Sequence, residues 1–226
     1  EIMPSLVGSE MCIRDSFMSI FENYPKETLY SLMNIIGTHD TMRIKTLLGG
    51  LSQDCGTQKL SSGNEELATY RLKMLSFVQM TFVGVPCIYY GDEVGMQGGS
   101  DPFNRGTYPW RAIDPDLRQW YTDLGALRNN SDCLTLGYYK TVYASGDLYI
   151  YARFTKNGKN AFGNCCKNSL AICAVNRSFE SKHIDIDISE FGDFSFFSHG
   201  ISNPEIVPVR DSIIEIDVAP VGCEFF

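Results

Sequence analysis

The sequence predicts a chain of two parts, an α/β region followed by an all-β region. Two short apolar runs, "MNII" at 33–36 and "CIYY" at 87–90, lie between stretches with a helical pattern. Beyond Ser131 the pattern changes to short runs rich in β-branched and aromatic residues, separated by Gly, Asn and Ser. Helices that alternate with strands are typical of parallel strands joined by crossovers, in an α/β barrel or an open doubly wound sheet.

The first helical stretch, "SIFENYPKETLYSLMN", predicts a short amphipathic helix whose second part begins at Pro25. The strand at 33–36 follows it directly. The next segment, "MRIKTLL", predicts a helical turn, with Asp40 or Thr41 as its cap and Gly49 and Gly50 at its end.

A long helix is predicted over 65–83, where apolar residues recur on one face before Gly84 and Pro86 end it. The run at 87–90 is continuously apolar, as expected of a strand that helices cover on both faces. Asp114 and Pro115 then predict the start of a helix that continues to about Asn129, because a capping residue precedes a first-turn proline.

The all-β region shows the alternation of half-buried strands. In "IDIDI" the three isoleucines share one face and the two aspartates share the other. We therefore expect a separate antiparallel domain that closes its own core. Its predicted strands lie in the runs "GYYKTVYA", "DLYIYARF", "LAICAVNR", "HIDIDIS" and "SIIEIDVAP".

Composition excludes several classes of partner. The 226 residues carry a formal net charge of -8, and no cluster of Lys and Arg is present, so we expect neither nucleic acid nor an anionic membrane as a partner. No apolar run approaches the roughly 18 residues of a spanning helix. We expect a soluble protein, either cytoplasmic or secreted, of undetermined oligomeric state.

The eight cysteines show no metal-site spacing, because no C-x-x-C pair and no histidine at ligand distance occur. We therefore predict no metal and no cofactor in this chain. A disulfide between Cys165 or Cys166 and Cys173 stays open. The first sixteen residues, "EIMPSLVGSEMCIRDS", resemble translated sequencing adapter, and we interpret 1–16 as a disordered, non-native segment.

Polar residues follow both apolar runs. His39 and Asp40 come after the first, Asp92 and Glu93 come after the second, and a loop with Asp101 and Arg105 comes next. The carboxyl ends of parallel strands meet at one face, which makes these residues a candidate site. Structural interpretations also exist, namely Asp40 as a helix cap, His39 as a core histidine, and Asp101 with Arg105 as an i,i+4 ion pair. Trp110 and Trp120 are interpreted as packing residues rather than as platforms on which a ligand ring stacks.

The combination "IIGTHDTMR" and, some fifty residues later, "GVPCIYYGDEVGMQGGSDPFNRGTYPW" resembles glycoside hydrolase family 13, the α-amylase family, in its neopullulanase and amylopullulanase-like members. The first stretch is similar to that family's motif at the end of barrel strand seven, and the second is similar to its strand-eight motif. Thr38 departs from the family pattern, which has asparagine or serine at this position.

This resemblance implies roles for four residues. Asp40 matches the carboxylate that stabilises the transition state, and His39 matches its sugar-binding neighbour. Asp101 and Arg105 match positions that contact sugar. The nucleophile and the general acid of the family come from strands four and five, so the resemblance places them upstream of this chain.

The same resemblance implies a fold and a function. We expect 17–131 to be the C-terminal portion of a TIM (β/α)8 barrel and 132–226 to be an antiparallel β-sandwich. The parent would be a retaining hydrolase of the α-1,4 bonds, and also of the α-1,6 bonds, of starch, pullulan or maltodextrins. Any calcium site would lie in the missing part of that parent. The fragment alone would be inactive. An α-glucosidase or transglycosylase of the same family, and a non-catalytic glucan-binding relative, are the alternatives.

Overall fold

A computed structural model describes residues 10–202 and 204–226. Helix α1 (Glu10–Asn23) opens this part of the chain. The prediction of disorder over 1–16 is therefore wrong for 10–16, which begin the helix, and 1–9 lie outside the described residues. The non-native origin of the segment stays a prediction.

The described residues form two compact units. The strand-pair unit consists of residues 33–80 and 85–126, and the sandwich unit consists of 10–32, 81–84 and 127–226. This division differs from the predicted boundary after residue 131.

The first two helices explain why residues 17–32 group with the sandwich unit. The ring of Phe21 stacks on that of Tyr139, with centroids 4.8 Å apart. The Tyr30 hydroxyl donates a hydrogen bond to the Gly137 carbonyl at 2.5 Å.

In the strand-pair unit two strands of three residues run parallel, β1 (Met33–Ile35) and β2 (Val85–Cys87). Gln79 bridges them, because its Nε2 donates to the Asn34 carbonyl at 2.7 Å and to the Cys87 carbonyl at 2.9 Å. Strand β2 ends at Cys87, the residue at which the predicted strand 87–90 begins. Ile88 and Tyr90 in that run are both 40% exposed, so the prediction that helices cover it on both faces is wrong.

Two helices lie between these strands in the chain, α3 (Ile44–Leu48) and α4 (Ser62–Thr81). A third, α5 (Pro115–Asn129), follows β2. The α5 prediction is confirmed, and Asp114 caps it by accepting a hydrogen bond from the Leu117 amide at 3.0 Å. The α3 cap prediction is wrong, since Arg43 occupies the N-cap position.

The sandwich unit adds two helices and eight strands to α1. All five predicted β runs contain a strand, and three further strands were missed. The elements are α2 (Lys26–Ser31), α6 (Asp132–Leu136), β3 (Tyr138–Ser145), β4 (Leu148–Phe154), β5 (Leu170–Asn176), β6 (Lys182–Asp187), β7 (Phe196–His199), β8 (Glu205–Pro208), β9 (Ile213–Val218) and β10 (Gly222–Phe225).

Antiparallel pairing joins these strands into three sheets. The largest has the order β10-β5-β4-β3, and the pairs β6-β9 and β7-β8 form the other two. Side chains from the four-stranded sheet and from β6-β9 share one core, in which Ile150, Ile172 and Ile216 are fully buried. The predicted alternation of "IDIDI" is confirmed, because Ile186 and Ile188 are buried while Asp185 and Asp187 are exposed.

A buried cation links β4 to the backbone at the end of α4 and just before β3. Arg153 on β4 has no exposed surface, and its guanidinium donates to the Thr81 carbonyl at 2.7 Å and the Gly137 carbonyl at 3.2 Å. A buried guanidinium is tolerated where its N–H groups are paired in this way.

The described cysteines correct the disulfide hypothesis. Cys165, Cys166 and Cys173 are unbridged thiols. Cys173 lies in β5 with no exposed surface, and burial raises the pKa of its thiol to about 12. Within the described ranges, no group of three His, Cys, Asp or Glu side chains is arranged to hold a metal ion, and no helix is long and apolar enough to cross a membrane.

Candidate functional site

A tight polar turn follows β1 and presents two side chains to solvent. The Asp40 amide donates to Thr38 Oγ1 at 3.2 Å, and the Thr38 amide donates to Thr41 Oγ1 at 3.3 Å. His39 Nε2 lies 3.3 Å from Asp40 Oδ1, and the two side chains are 63% and 72% exposed. The alternative interpretation of His39 as a core histidine is therefore wrong. The Thr38 hydroxyl shapes the turn.

The loop that follows β2 brings a cation to this turn. Arg105 ends a short 3-10 helix, Phe103–Arg105, and its Nη2 lies 3.6 Å from Asp40 Oδ1. Its Nε lies 2.8 Å from Asp101 Oδ1 and donates to the His39 carbonyl at 3.1 Å. The structure thus brings all four predicted site residues together in one exposed cluster, which we call the polar cluster (His39, Asp40, Asp101 and Arg105).

Exposed ion pairs contribute little to stability, about 0–1 kcal/mol each. The polar cluster is thus a poor device for holding the fold together. Its arrangement of an imidazole, two carboxylates and a guanidinium supplies donors and acceptors in the density that a polyhydroxylated ligand requires.

Asn104 fixes the polar cluster from below, and sequence reasoning missed it. Its side chain is fully buried, and its Nδ2 donates to the carbonyls of His39 and Thr41, both at 2.7 Å. Gly98 allows the backbone at 98 to pack closely against that of Phe103, since a Cβ at position 98 would lie 2.2 Å from the Phe103 carbonyl oxygen. In the sequence, a buried asparagine in a loop has the same pattern as a solvent-exposed one, so nothing marked Asn104 as a positioning residue.

A buried ion pair lies at the base of the same two segments. Arg43 Nη1 is 3.3 Å from Asp92 Oδ1, with 0% and 1% of the two side chains exposed. The guanidinium also donates to the Tyr90 carbonyl and lies over the rings of Tyr89 and Tyr90, 4.3 and 4.5 Å from their centroids. Burial raises the pKa of Asp92 to about 7, while Arg43 opposes that shift.

The prediction that Asp92 belongs to the exposed candidate site is therefore wrong, because its side chain is only 1% exposed. Its carboxylate occupies the space beside Gly37, where a Cβ would lie 2.3 Å from Asp92 Oδ2. Because the strand end places it under the turn rather than at the surface, it cannot contact a ligand directly.

The two tryptophans have different environments. Trp120 packs as predicted, and its Nε1 donates to Ser76 Oγ at 3.0 Å. Trp110 is 82% exposed and lies against Tyr108, with ring centroids 4.7 Å apart, so its interpretation as a packing residue is wrong for the described residues.

Comparison with known proteins agrees with this architecture. The model of the α-amylase catalytic domain matches residues 9–137, more than half of the chain. Amylopullulanase of Thermoanaerobacterium thermosulfurigenes is 41% identical over 202 residues, which are 89% of this chain and 11% of that protein. Cyclomaltodextrinase of Geobacillus thermopakistaniensis is 30% identical over 180 residues, 79% of this chain and 26% of that protein. The chain thus spans about a tenth to a quarter of the length of these relatives.

Solved structures show the same fold. An Anoxybacillus α-amylase superposes with a TM-score of 0.75 at 19% identity, covering 99% of this chain and 44% of that one. A Nostoc punctiforme debranching enzyme superposes with a TM-score of 0.68 at 22% identity, covering 96% and 38%. The fold is the C-terminal part of a TIM barrel followed by an antiparallel β-sandwich, and the chain belongs to the α-amylase family.

Proposed function

We propose that this chain is part of a retaining α-glucan hydrolase in which the polar cluster grips a glucose ring at the point of cleavage. The observation that carries the proposal is the meeting of His39, Asp40, Asp101 and Arg105 on a chain that belongs to the α-amylase family. The relatives named amylopullulanase and cyclomaltodextrinase favour starch, pullulan or maltodextrins as substrates. The proposed bonds are α-1,4 and, as in pullulan, α-1,6.

Asp40 is the proposed transition-state stabiliser. Glycoside hydrolysis develops positive charge on the sugar ring, and a fixed carboxylate nearby lowers the energy of that charge. Two contacts support this role because they restrict the position of the carboxylate. The Asp40 amide donates a hydrogen bond to Thr38 Oγ1, and Arg105 Nη2 lies near Asp40 Oδ1. His39 is a proposed substrate-binding residue whose imidazole can hydrogen bond to ring hydroxyls.

Asp101 and Arg105 are the other proposed substrate-binding residues. Their 2.8 Å contact aligns a carboxylate that accepts and a guanidinium that donates, which suits the two neighbouring hydroxyls of a glucose ring. The exposed Trp110 adds an aromatic face within the same loop, on which a sugar ring can stack.

We expect the 226-residue chain alone to release no sugar. Retaining glycosidases need a nucleophile and a general acid about 5–5.5 Å apart, and the family resemblance assigns both to strands that precede this chain. A non-catalytic glucan-binding protein is the second candidate, favoured by the exposed Trp110, whose ring lies against that of Tyr108. An α-glucosidase or transglycosylase shares the same cluster and differs in its products.

Binding tests the polar cluster first. Maltotriose titrated into the isotope-labelled chain should shift the NMR resonances of Asp40, Asn104 and Arg105. Arg105→Ala should abolish these shifts, and Glu66→Gln, which removes an exposed carboxylate on α4, should leave them unchanged. Shifts confined to the sandwich unit would overturn the assignment of the site.

Hydrolysis separates the enzyme from the binding protein. A protein that joins this chain to its upstream coding region should release reducing sugar from pullulan, and Asp40→Asn should lower kcat by about 100-fold or more. Glu66→Gln is again the matched control. A joined protein that binds maltotriose but releases nothing would favour the non-catalytic candidate.

A further inference from the structure

We propose that Arg43 and Asp92 are positioning residues, which tie the two loop segments of the strand-pair unit together and hold the polar cluster more firmly when Asp92 is ionised. The inference rests on the proposed function only in that the polar cluster is taken to bind a glucan. The mechanical role of the pair is argued from contacts within the strand-pair unit alone.

Arg43 is anchored at both its backbone and its side chain. It lies three residues after Asp40, and its amide donates to the Gly98 carbonyl at 3.0 Å. Its guanidinium has no exposed surface and contacts the Tyr89 and Tyr90 rings and the Tyr90 carbonyl. One side chain therefore connects the turn after β1 with the segment after β2.

Asp92 closes this connection from the other side. Its Oδ1 pairs with Arg43, and its Oδ2 lies against Gly37 at the start of the turn that carries His39 and Asp40. Among the described residues, Asp92 Oδ2 accepts no hydrogen bond, so the ion pair with Arg43 is the main contact that favours its ionised form. Breaking a buried pair of this kind is costly because one charge stays buried alone.

Two hydrogen-bonded paths connect the pair with the polar cluster. Tyr90, whose carbonyl accepts from Arg43, donates its hydroxyl hydrogen to the Gly106 carbonyl at 2.7 Å, next to Arg105. Thr41, two residues before Arg43, accepts through its carbonyl from Asn104, which also holds His39. A change in the pair therefore reaches both sides of the cluster.

The groups that face Asp92 come from four segments. Arg43 supplies the positive charge, and the neighbouring Glu93 supplies a negative one. Tyr121 on α5 lies close enough for Asp92 to contribute to the raised pKa of its phenol, for which burial is the main cause. Gly37 faces it without a polar side chain. Since burial raises the pKa of Asp92 to about 7, the carboxyl changes charge near neutral pH.

The ionic form of the pair therefore predominates above about pH 7 and declines below it. As the carboxyl becomes neutral, Arg43 loses its ionic partner, which loosens the link between the two segments. The polar cluster should be more mobile at pH 6 than at pH 8.

An NMR titration of the full 226-residue chain tests this directly, without ligand. The side-chain carboxyl carbon of Asp92 and the side-chain amide of Asn104 should titrate together, with a common midpoint near pH 7. The measurement is repeated in His39→Gln, which removes the imidazole of the polar cluster, and the common transition should persist. Glu93→Gln should move the midpoint to lower pH, since Glu93 raises the pKa of Asp92.

Asp92→Asn should remove the Asn104 transition, with the dispersion of methyl resonances showing that the variant is folded. If Asp92 titrates while the Asn104 amide does not respond, the pair does not position the cluster. An Asn104 transition that disappears in His39→Gln would likewise overturn the inference. Failure of maltotriose to bind would reject the proposed function and leave this result standing.

Discussion

Two short strand pairs of the molecule hold their apolar side chains in opposite environments. In β6-β9 the inward residues Ile214 and Ile216 are 1% and 0% exposed, because the four-stranded sheet covers them. In β1-β2, Met33 and Ile35 are 61% and 42% exposed, and the pair consists of only three residues on each strand. The difference shows that an apolar strand is buried only where another layer of secondary structure packs against it. In β6-β9 the four-stranded sheet is that layer.

The largest effect should separate these two environments. Ile172→Ala in the sandwich core should cost about 2–5 kcal/mol of unfolding free energy, because it leaves a cavity among fully buried neighbours. Ile35→Ala, the matched change in the exposed pair, should cost well under about 1 kcal/mol. Urea denaturation followed by circular dichroism measures both. Equal costs would contradict the contrast drawn between the two regions.

A pH effect should distinguish the strand-pair unit. Asp92 is the buried carboxylic acid of the described residues, with a pKa of about 7 in the folded chain against about 3.9 when unfolded. Between these values the folded state binds more protons, so its stability should fall as pH rises from about 4 to 7 and stop changing above 7.

Both tryptophans lie in the strand-pair unit, so fluorescence-detected unfolding at several pH values follows this unit. Asp92→Asn should remove the fall in stability over this window. An unchanged slope in that variant would show that another group causes it.

A smaller effect should come from the cap of α5. Asp114→Ala removes the acceptor of the Leu117 amide and should cost about 1 kcal/mol. Asp114→Asn keeps a capping oxygen and serves as the control, since Lys45 also lies 4.0 Å from Asp114. Trp120 fluorescence during urea denaturation reports on this helix. A loss of equal size in both variants would assign the effect to charge rather than to capping.

The smallest change in stability should accompany a clear change in association. Ile35→Lys with Val85→Lys places charges on the exposed strand pair and should alter unfolding free energy by about 0.5 kcal/mol or less. Because charged side chains oppose edge-to-edge pairing, light scattering should show less self-association. Ile206→Lys on β8, where the side chain is 74% exposed, is the control in the sandwich unit. Equal reduction by the control would remove the special status of the strand pair.

Local patterns predicted much of the fold. The start of α5 followed from Asp114 and Pro115, and the faces of β6 followed from strict alternation. The missed strands β7, β8 and β10 have four residues each, which is too short for a periodic signal.

The grouping of α1 and α2 with the sandwich unit was also beyond sequence reasoning. It depends on contacts such as Phe21 with Tyr139, which join residues more than a hundred positions apart.

The candidate site shows the same limit. The motifs predicted that His39 and Asp40 approach Asp101 and Arg105, and the 3.6 Å distance from Asp40 to Arg105 shows this proximity. Their chemical roles stay predictions. The burial of Asp92 was missed because a charge after an apolar strand has the same pattern whether it faces solvent or lies beneath a turn.

Gly37 places a steric constraint on these two segments. The carboxylate of Asp92 occupies the space that a side chain at 37 would need, so no larger residue fits at 37 while Asp92 is kept. In a library that randomises both codons together, survivors should pair glycine at 37 with aspartate at 92, and larger residues at 37 should appear only beside a shortened residue at 92. The close approach of the two loops thus makes the residues allowed at position 37 depend on the residue at position 92.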